Sequence, residues 1–372
     1  MTRRSVLVVS VVHRPQDARI RHRQVPALLE AGWDVTYAAP FTGYGLTVPA
    51  PLRTGAGRLR CTDVPRARGR RRGRALLAAR QVLGRLGPRH DVVLLHDPEL
   101  LLAVPRRLRG HTVWDVHEDT AAAVLAKPWL PAPAQRTAAA VVRRAEGWAE
   151  RHLTLLLAEY GYRDRFAREH VVVPNTVPVP ATVAPPAPDR VVYLGSITLE
   201  RGAEEIAATA RLLRERTDGA LTTHVLGPAH GPAEPVVRAA HERGDLHWHG
   251  FVPNDRAREM LTGALAGLSL LRDLPNYRHS MPTKVLEYLA HGVPVVTTPL
   301  PLARDVVTSA GSGVVVPFED AGAAADAVLD LRRDPERAAA LGAAGHRAAR
   351  ERYDWTTVSG DFVAALDAVA AR

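Results

Sequence analysis

Lys284 and Glu287 stand three residues apart in the stretch Y-R-H-S-M-P-T-K-V-L-E-Y-L-A-H-G-V-P-V-V-T-T, residues 277–298. This spacing places both on one face of a helix, near its amino-terminal end. Ser280 can cap that helix, Pro282 is tolerated in its first turn, and Gly292 closes it. Residues 293–296 then form an apolar run too short for a helix, hence a buried strand. Helix amino termini attract anions through unpaired amides and the helix dipole. A cation at that mouth and a carboxylate one turn deeper suit the diphosphate and ribose hydroxyls of a nucleotide sugar. The competing reading is a solvated surface ion pair, worth little energetically.

Other candidates follow predicted strands. His13 comes after residues 5–12, His96-Asp97 after V-V-L-L, and His117-Glu118 after T-V-W-D-V. Each histidine alone would cap a neighbouring carbonyl. Three at corresponding positions point to a polar site, with His117 ranked first, then His96, then His13. In the second half, Gly195-Ser196 follow V-V-Y-L, Gly227 follows H-V-L, Gly250 follows L-H-W-H, and Arg272-Asp273 follow L-S-L-L. Gly195 and Ser196, with Arg201-Gly202 at the next helix start, offer amides and a guanidinium to a phosphate. The plain alternative is a tight turn and a solvated arginine. No histidines or cysteines are clustered at metal-site spacing, so no metal is expected.

The elements that must position these groups alternate between strand and helix. Strands are predicted at 5–12, 34–39, 91–95, 112–116 and 153–157, and helices at 18–31, 74–86, 99–108 and 134–149, with Gly32 as a carboxyl stop. Prolines 174, 178, 180, 185, 186 and 188 mark a stiff linker. A second alternating series starts at Val191, with helices near 203–216, 234–243, 255–262 and 282–291. Three closing helices follow from Asp320, broken near Asp334-Pro335 and Asp354. The class is α/β, with parallel sheets covered on both faces in two doubly wound, Rossmann-like domains. The expected domains are 1–184 and 185–355, with helix 356–372 returning to the first. An interdomain cleft would receive ligands beyond the carboxyl ends of the strands.

At 372 residues the chain suits two domains, and 46% hydrophobic with 24% charged residues is ordinary for a globular protein. A single cysteine, Cys61, excludes an internal disulfide and fits a cytoplasmic location. No apolar run reaches the roughly 20 residues of a membrane span. The excess of 49 Lys+Arg over 39 Asp+Glu is uneven: Arg66, Arg68, Arg70, Arg71, Arg72 and Arg74 are followed by Arg80, Arg85 and Arg89. This block is either a solvated face or a contact with an anionic membrane or acceptor. It lacks interleaved aromatics and any nucleic-acid-binding signature, so no nucleic-acid partner is expected.

In this order, the motifs resemble those of the retaining GT-B glycosyltransferases of family 4. The carriers are Y-L-G-S-I-T-L-E-R-G at 193–202, H-G-F-V-P at 249–253, P-T-K-V-L-E-Y-L-A-H-G-V-P-V-V at 282–296 and E-R-Y-D-W at 351–355. H-D-P-E at 96–99 and D-V-H-E-D at 115–119 look like acceptor-domain motifs of bacterial surface-polysaccharide transferases. The resemblance implies transfer of a sugar from a nucleoside-diphosphate donor to a glycan, lipid-linked or small-molecule acceptor, with no cofactor or metal. It places Arg201 on the donor diphosphate with Lys284 assisting, Glu287 on the ribose, and Gly250, Phe251 and Val252 beside the nucleobase. His117 and His96 become the catalytic candidates, and His13, Asp17 and Arg19 the acceptor-side ones. Two positions depart from the pattern. His279 stands where the family carries its first glutamate, leaving Asn276, Tyr277 or His279 to contact the donor sugar. Ser196 stands where many relatives carry arginine, leaving more phosphate charge to Arg201 and Lys284. The alternatives are a non-catalytic sugar-nucleotide-binding subunit, a sugar-nucleotide epimerase or a phosphorylase.

Overall fold

A computed structural model of the chain describes residues 3–54, 56–125 and 130–372. Its contacts divide it into two compact units, Met1–Asn175 with Thr356–Arg372, and Thr176–Trp355. Residues 176–184, within the proline-thick stretch, count with the second unit.

The first unit is built on β1 (Ser5–Val9), β2 (Asp34–Ala39), β3 (Leu52–Thr54), β4 (Gly57–Asp63), β5 (Val92–Leu95), β6 (Thr112–Val116), β7 (Thr154–Leu157) and β8 (Val171–Val172). Their order is β3-β4-β2-β1-β5-β6-β7-β8, parallel throughout except where β3 runs against β4. Val6–Val9 and all of β5 are buried, as expected of strands covered on both faces. Strand order reverses between β1 and β5, which is where such sheets hold ligands. His13 and His96 follow those two strands.

Three local expectations change here. The stretch 41–60 is not one long loop, because β3 and the start of β4 lie within it. The helix expected over 99–108 is two 3₁₀ segments, Pro98–Ala103 and Arg106–His111. Pro105 causes the break, since it lacks an N–H and pushes Val104 into an extended conformation (ψ 114°). The helix expected over 18–31 opens with a π turn, Ile20–Gln24, before the α-helix Val25–Glu30. Val25 N–H bonds Ile20 O one residue further back than in an α-helix, directly before Pro26, which has no N–H of its own. That wider turn carries buried Arg23 and Gln24, directly after buried Arg19.

The second unit carries β9 (Arg190–Leu194), β10 (Thr222–Leu226), β11 (His247–Trp248), β12 (Ala266–Ser269), β13 (Val295–Thr297) and β14 (Gly313–Val315). The order β11-β10-β9-β12-β13-β14, all parallel, is the doubly wound arrangement with its switch point between β9 and β12. The closing helices are Ala321–Arg333, Pro335–Arg352 and Trp355–Ala370. Asp320 and Asp334 cap the first two by accepting from Ala323 N–H and Arg337 N–H. On the last helix, Asp367 pairs with Arg4. Among the described residues, no helix is long and apolar enough to cross a membrane.

Candidate functional site

In the second unit the turn after β9 and the helix Thr283–Ala290 come together. Lys284 is buried, its Nζ has no hydrogen-bond partner among the described residues, and it sits 3.7 Å from the centre of the Tyr193 ring. Burial, reinforced by nearby Arg201, holds its ammonium well below the usual lysine range. The ring face offsets part of that cost. Gly195 brings the turn alongside it: a Cβ there would lie 4.0 Å from Lys284 Cε, an ordinary contact. A buried cation with no anion is expensive, and a ligand phosphate is what would satisfy it.

The turn itself is held from within. Ser196 O accepts from Tyr193 Oη (3.0 Å) and from Arg201 Nη1 (3.1 Å). Gly195 N–H is used on Leu226 O (2.8 Å), so of the two amides expected to face an anion, that of Ser196 is the one left. Gly202, at φ +86°, lets the chain pass Leu270 O, which a Cβ would approach to 2.1 Å. The helix Ala203–Arg216 follows at once.

Ser280 does not cap the helix that carries Lys284. Pro282 is its N-cap, with no side-chain bond, and the first helical residue is Thr283. Ser280 lies two residues too early, where its N–H closes the turn from Tyr277 O (3.4 Å). Gly292, at φ +66°, ends the helix as expected. Glu287 is buried one turn in from Lys284, with Arg258 Nε 3.7 Å from its Oε2. Tyr288 Oη accepts from Leu194 N–H (2.9 Å) and donates to Leu268 O (3.1 Å), tying this helix to β9 and β12. Phe251 is 46% exposed after Gly250, while Val252 packs on the core. Asn276 and Tyr277 are half-buried on the short helix Pro275–Arg278, and His279 is exposed at its end. Arg272, at the end of β12, is engaged by Glu204 and Glu205.

In the first unit, Asp115 on β6 is the hub. Its carboxylate is fully buried and accepts from Arg19 Nε (2.7 Å), Arg19 Nη2 (2.7 Å) and Gln24 Nε2 (2.8 Å). Burial opposes its charge, but the Arg19 guanidinium holds the carboxyl well below the usual carboxylate range. His96 Nδ1 lies 3.3 Å from Asp115 Oδ2, off the line of a hydrogen bond. His117 Nδ1 is 3.1 Å from Asp115 O, and its Nε2 is 2.8 Å from His13 Nε2. His13 Nε2 is also 3.2 Å from Asp97 Oδ1. Asp97 Oδ2 in turn accepts from Val11 N–H and Val12 N–H, holding the chain after β1. Asp17 sits 4.0 Å from His13 Nδ1. The fold therefore gathers His13, His96, His117, Asp17 and Arg19 at the ends of β1, β5 and β6.

The histidine pair is polarised. Burial, with the neighbouring charge of His13, pushes His117 down to about 3. Burial also works against His13, but Asp97, Asp17, Glu118 and Asp115 outweigh it and raise its pKa. His117 thus keeps one proton, on Nδ1 toward Asp115 O, and accepts from His13 through Nε2. Between pH 6.5 and about 3 the unfolded chain binds a proton that folded His117 refuses. Its contribution to stability is therefore full above pH 6.5 and lost as pH falls, by up to about 1.4 kcal/mol per pH unit. His13 acts oppositely, stabilising below pH 6.5 and losing that contribution as pH rises through its folded pKa. In urea titrations, His117→Gln is expected to flatten the acid-side loss of stability; an unaltered pH profile would contradict this assignment.

The absence of metal-site spacing in the sequence did not reveal that His96, Asp115 and His117 come together, with ligand atoms within 4.8 Å of one another. They arise at the ends of two different strands. Both Asp115 oxygens already hold Arg19, so a cation there would compete with a guanidinium. Asp115, Gln24, Tyr193 and Arg258 were not predicted as site residues, and Asp97 was named only beside His96 at its strand end.

Residues 188–334 match the family described as Glycosyl transferases group 1. The chain is 29% identical over 187 residues to the GDP-mannose-dependent alpha-(1-6)-phosphatidylinositol monomannoside mannosyltransferase of Mycobacterium tuberculosis (strain ATCC 25618 / H37Rv), covering 48% of each. It is 43% identical over 72 residues, 19% of each, to the protein of the same description from Mycolicibacterium smegmatis. The longer match thus spans about half the length of the curated relative. Among solved structures, sucrose-phosphate synthase from Thermosynechococcus elongatus superposes with TM-score 0.73 at 16% identity, over 99% of this chain and 100% of that one. Trehalose-6-phosphate synthase OtsA gives 0.68 at 13%, over 98% and 99%. AviGT4, a glycosyltransferase involved in avilamycin A biosynthesis, gives 0.60 at 20%, over 100% and 98%. These likenesses concern the fold, which is GT-B: two parallel Rossmann-like α/β sheets with closing carboxy-terminal helices.

Proposed function

We propose that the protein is a retaining glycosyltransferase that moves a hexosyl group from a nucleoside-diphosphate sugar to an acceptor hydroxyl. The observation that carries this reading is Lys284, a buried ammonium without a hydrogen-bond partner among the described residues, beside the Gly195-Ser196 turn and Arg201. In the reaction the bond from the anomeric carbon to the diphosphate breaks, and the diphosphate leaves with the electron pair. The acceptor oxygen forms the new bond at that carbon and passes its proton to an oxygen of the departing diphosphate. Fixed cations aimed at the departing diphosphate stabilise that charge without having to reorganise. Lys284 and Arg201 fill this role, and turnover is expected without added metal. The Ser196 amide adds a donor. Glu287 takes the ribose hydroxyls, with Arg258 holding its carboxylate, and Gly250, Phe251 and Val252 border the base. In the first unit, His117 and His96 are the catalytic candidates, and His13, Asp17 and Arg19 those for the acceptor.

The relatives' description makes GDP-mannose the first donor to test and a lipid-linked polyol the first acceptor. The exposed arginines Arg68, Arg70, Arg71, Arg74, Arg80, Arg85 and Arg89, with Leu77 66% exposed among them, suit contact with an anionic lipid surface. The direct test is incubation with GDP-mannose and a lipid-linked acceptor, with the product's anomeric configuration read by NMR. Retention supports the proposal; inversion, or consumption of phosphate instead of acceptor, contradicts it. Glu287→Ala is expected to weaken nucleotide binding about 10- to 100-fold, the loss of one or two hydrogen bonds to a charged group. Calorimetry on the folded variant checks this, and unchanged affinity would remove Glu287 from the ribose site.

A further inference from the structure

We propose that His224, His247 and His249 form a binding site for a zinc- or nickel-like divalent transition ion on the β10–β11 edge of the second sheet. Register creates the cluster. His224 on β10 is the direct neighbour of His247 on β11, and His249 N–H bonds Val225 O (3.0 Å), so the pairing continues past the strand end. Positions 247 and 249 fall on the same face of an extended chain. The three rings accordingly gather: His224 and His249 stack with centroids 5.2 Å apart at 12°, and His224 and His247 lie 4.9 Å apart at 38°.

One pair of ligand nitrogens already faces each other. His224 Nδ1 is 3.0 Å from His249 Nε2. Two imidazole nitrogens on a tetrahedral ion with bonds of about 2.0–2.1 Å stand roughly 3.3 Å apart. A small opening of the pair admits the ion. His247 is exposed and can turn in as a third ligand, with solvent completing the shell.

The tautomer is also set. Thr222 Oγ1 donates its proton to Asp189 O (3.1 Å), so toward His224 Nε2 (3.2 Å) it must accept. His224 therefore carries its proton on Nε2 and turns the Nδ1 lone pair toward His249, whose Nε2–H meets it and must shift its proton to Nδ1 for one ion to bind both rings. An outer hydrogen bond that fixes tautomer and ring orientation is what metal-binding histidines recruit. A ligand set of imidazoles selects zinc, nickel or copper over magnesium or calcium.

Calorimetry of the full untagged chain with Zn²⁺, and separately Ni²⁺, in metal-free buffer tests this. The expected result is one ion per chain at this site, lost in His224→Ala and in His249→Ala but kept in His117→Gln, which alters the buried first-unit cluster. Thr222→Val should weaken binding about 10- to 100-fold through the lost outer hydrogen bond, with Thr222→Ser restoring it. Absence of saturable binding would overturn the proposal. So would binding that survives the two alanine variants while disappearing in His117→Gln, or affinity unmoved by Thr222→Val.

Discussion

Lys284→Met is expected to lower turnover by about 10²- to 10³-fold, the usual loss when one preorganised group is withdrawn from developing charge, while leaving the melting temperature unchanged or higher. The two halves of this expectation share one cause. In the protein without nucleotide, the ammonium is buried over Tyr193 with no hydrogen-bond partner among the described residues, and burial opposes its charge. Methionine fills nearly the same volume and removes that cost. A residue kept for stability would behave in the reverse way. Steady-state kinetics beside a thermal melt reads both. A variant that melts lower yet turns over normally would show that Lys284 is structural. There is a linked consequence for protons. A bound diphosphate favours the charged lysine, so binding weakens as pH rises through the lysine's lowered pKa.

Asp115→Ala should destabilise the first unit by about 3–5 kcal/mol, because it leaves a buried arginine without its anion. Arg19 is only 4% exposed, and after the substitution Val173 O (2.9 Å) remains its hydrogen-bond acceptor. Gln24 Nε2 loses its acceptor as well. Such a loss is a large share of a domain's stability. Chemical denaturation would show it as an early transition of the first unit. Pairing Asp115→Leu with Arg19→Met should recover most of the loss, since replacing both members of a buried pair by apolar groups is nearly neutral. If Asp115→Ala unfolds at the wild-type denaturant concentration, the carboxylate is not the hub described above.

The second-unit groups were legible because their signals are local. Lys284 and Glu287 are neighbours on one helical turn, and Gly195, Arg201 and Gly202 lie within eight residues. The first unit was legible only as strand ends. His13, His96 and His117 could be placed because alternating strands and helices predict a parallel sheet whose carboxyl ends face one way. Their common partner was visible in principle: an aspartate inside the apolar run T-V-W-D-V, in a strand buried at every position, must have found a counter-charge. That the counter-charge is Arg19, 96 residues earlier, could not be read from spacing. Tyr193 read as plain core, and its face under Lys284 depends on how β9 packs against a helix ninety residues later. The strands at 52–54 and 57–63 were missed although L-R-T and G-R-L-R-C-T-D alternate, because a proline- and glycine-rich approach reads as loop. The histidine trio on β10 and β11 depends on strand register, which single-sequence spacing does not disclose.

The central claim is that the second unit binds a nucleoside diphosphate sugar through Lys284, Arg201 and Glu287. The measurement that tests it most directly is a thermal-shift panel of GDP-mannose and the common UDP, ADP and TDP sugars, with chelator present, on the wild type and Lys284→Met. A ligand that binds the folded state alone raises the melting temperature. The account predicts a selective rise for one nucleotide that shrinks or disappears in Lys284→Met. Well-folded wild-type protein that none of these nucleotides stabilises, or a shift that Lys284→Met leaves intact, would contradict it.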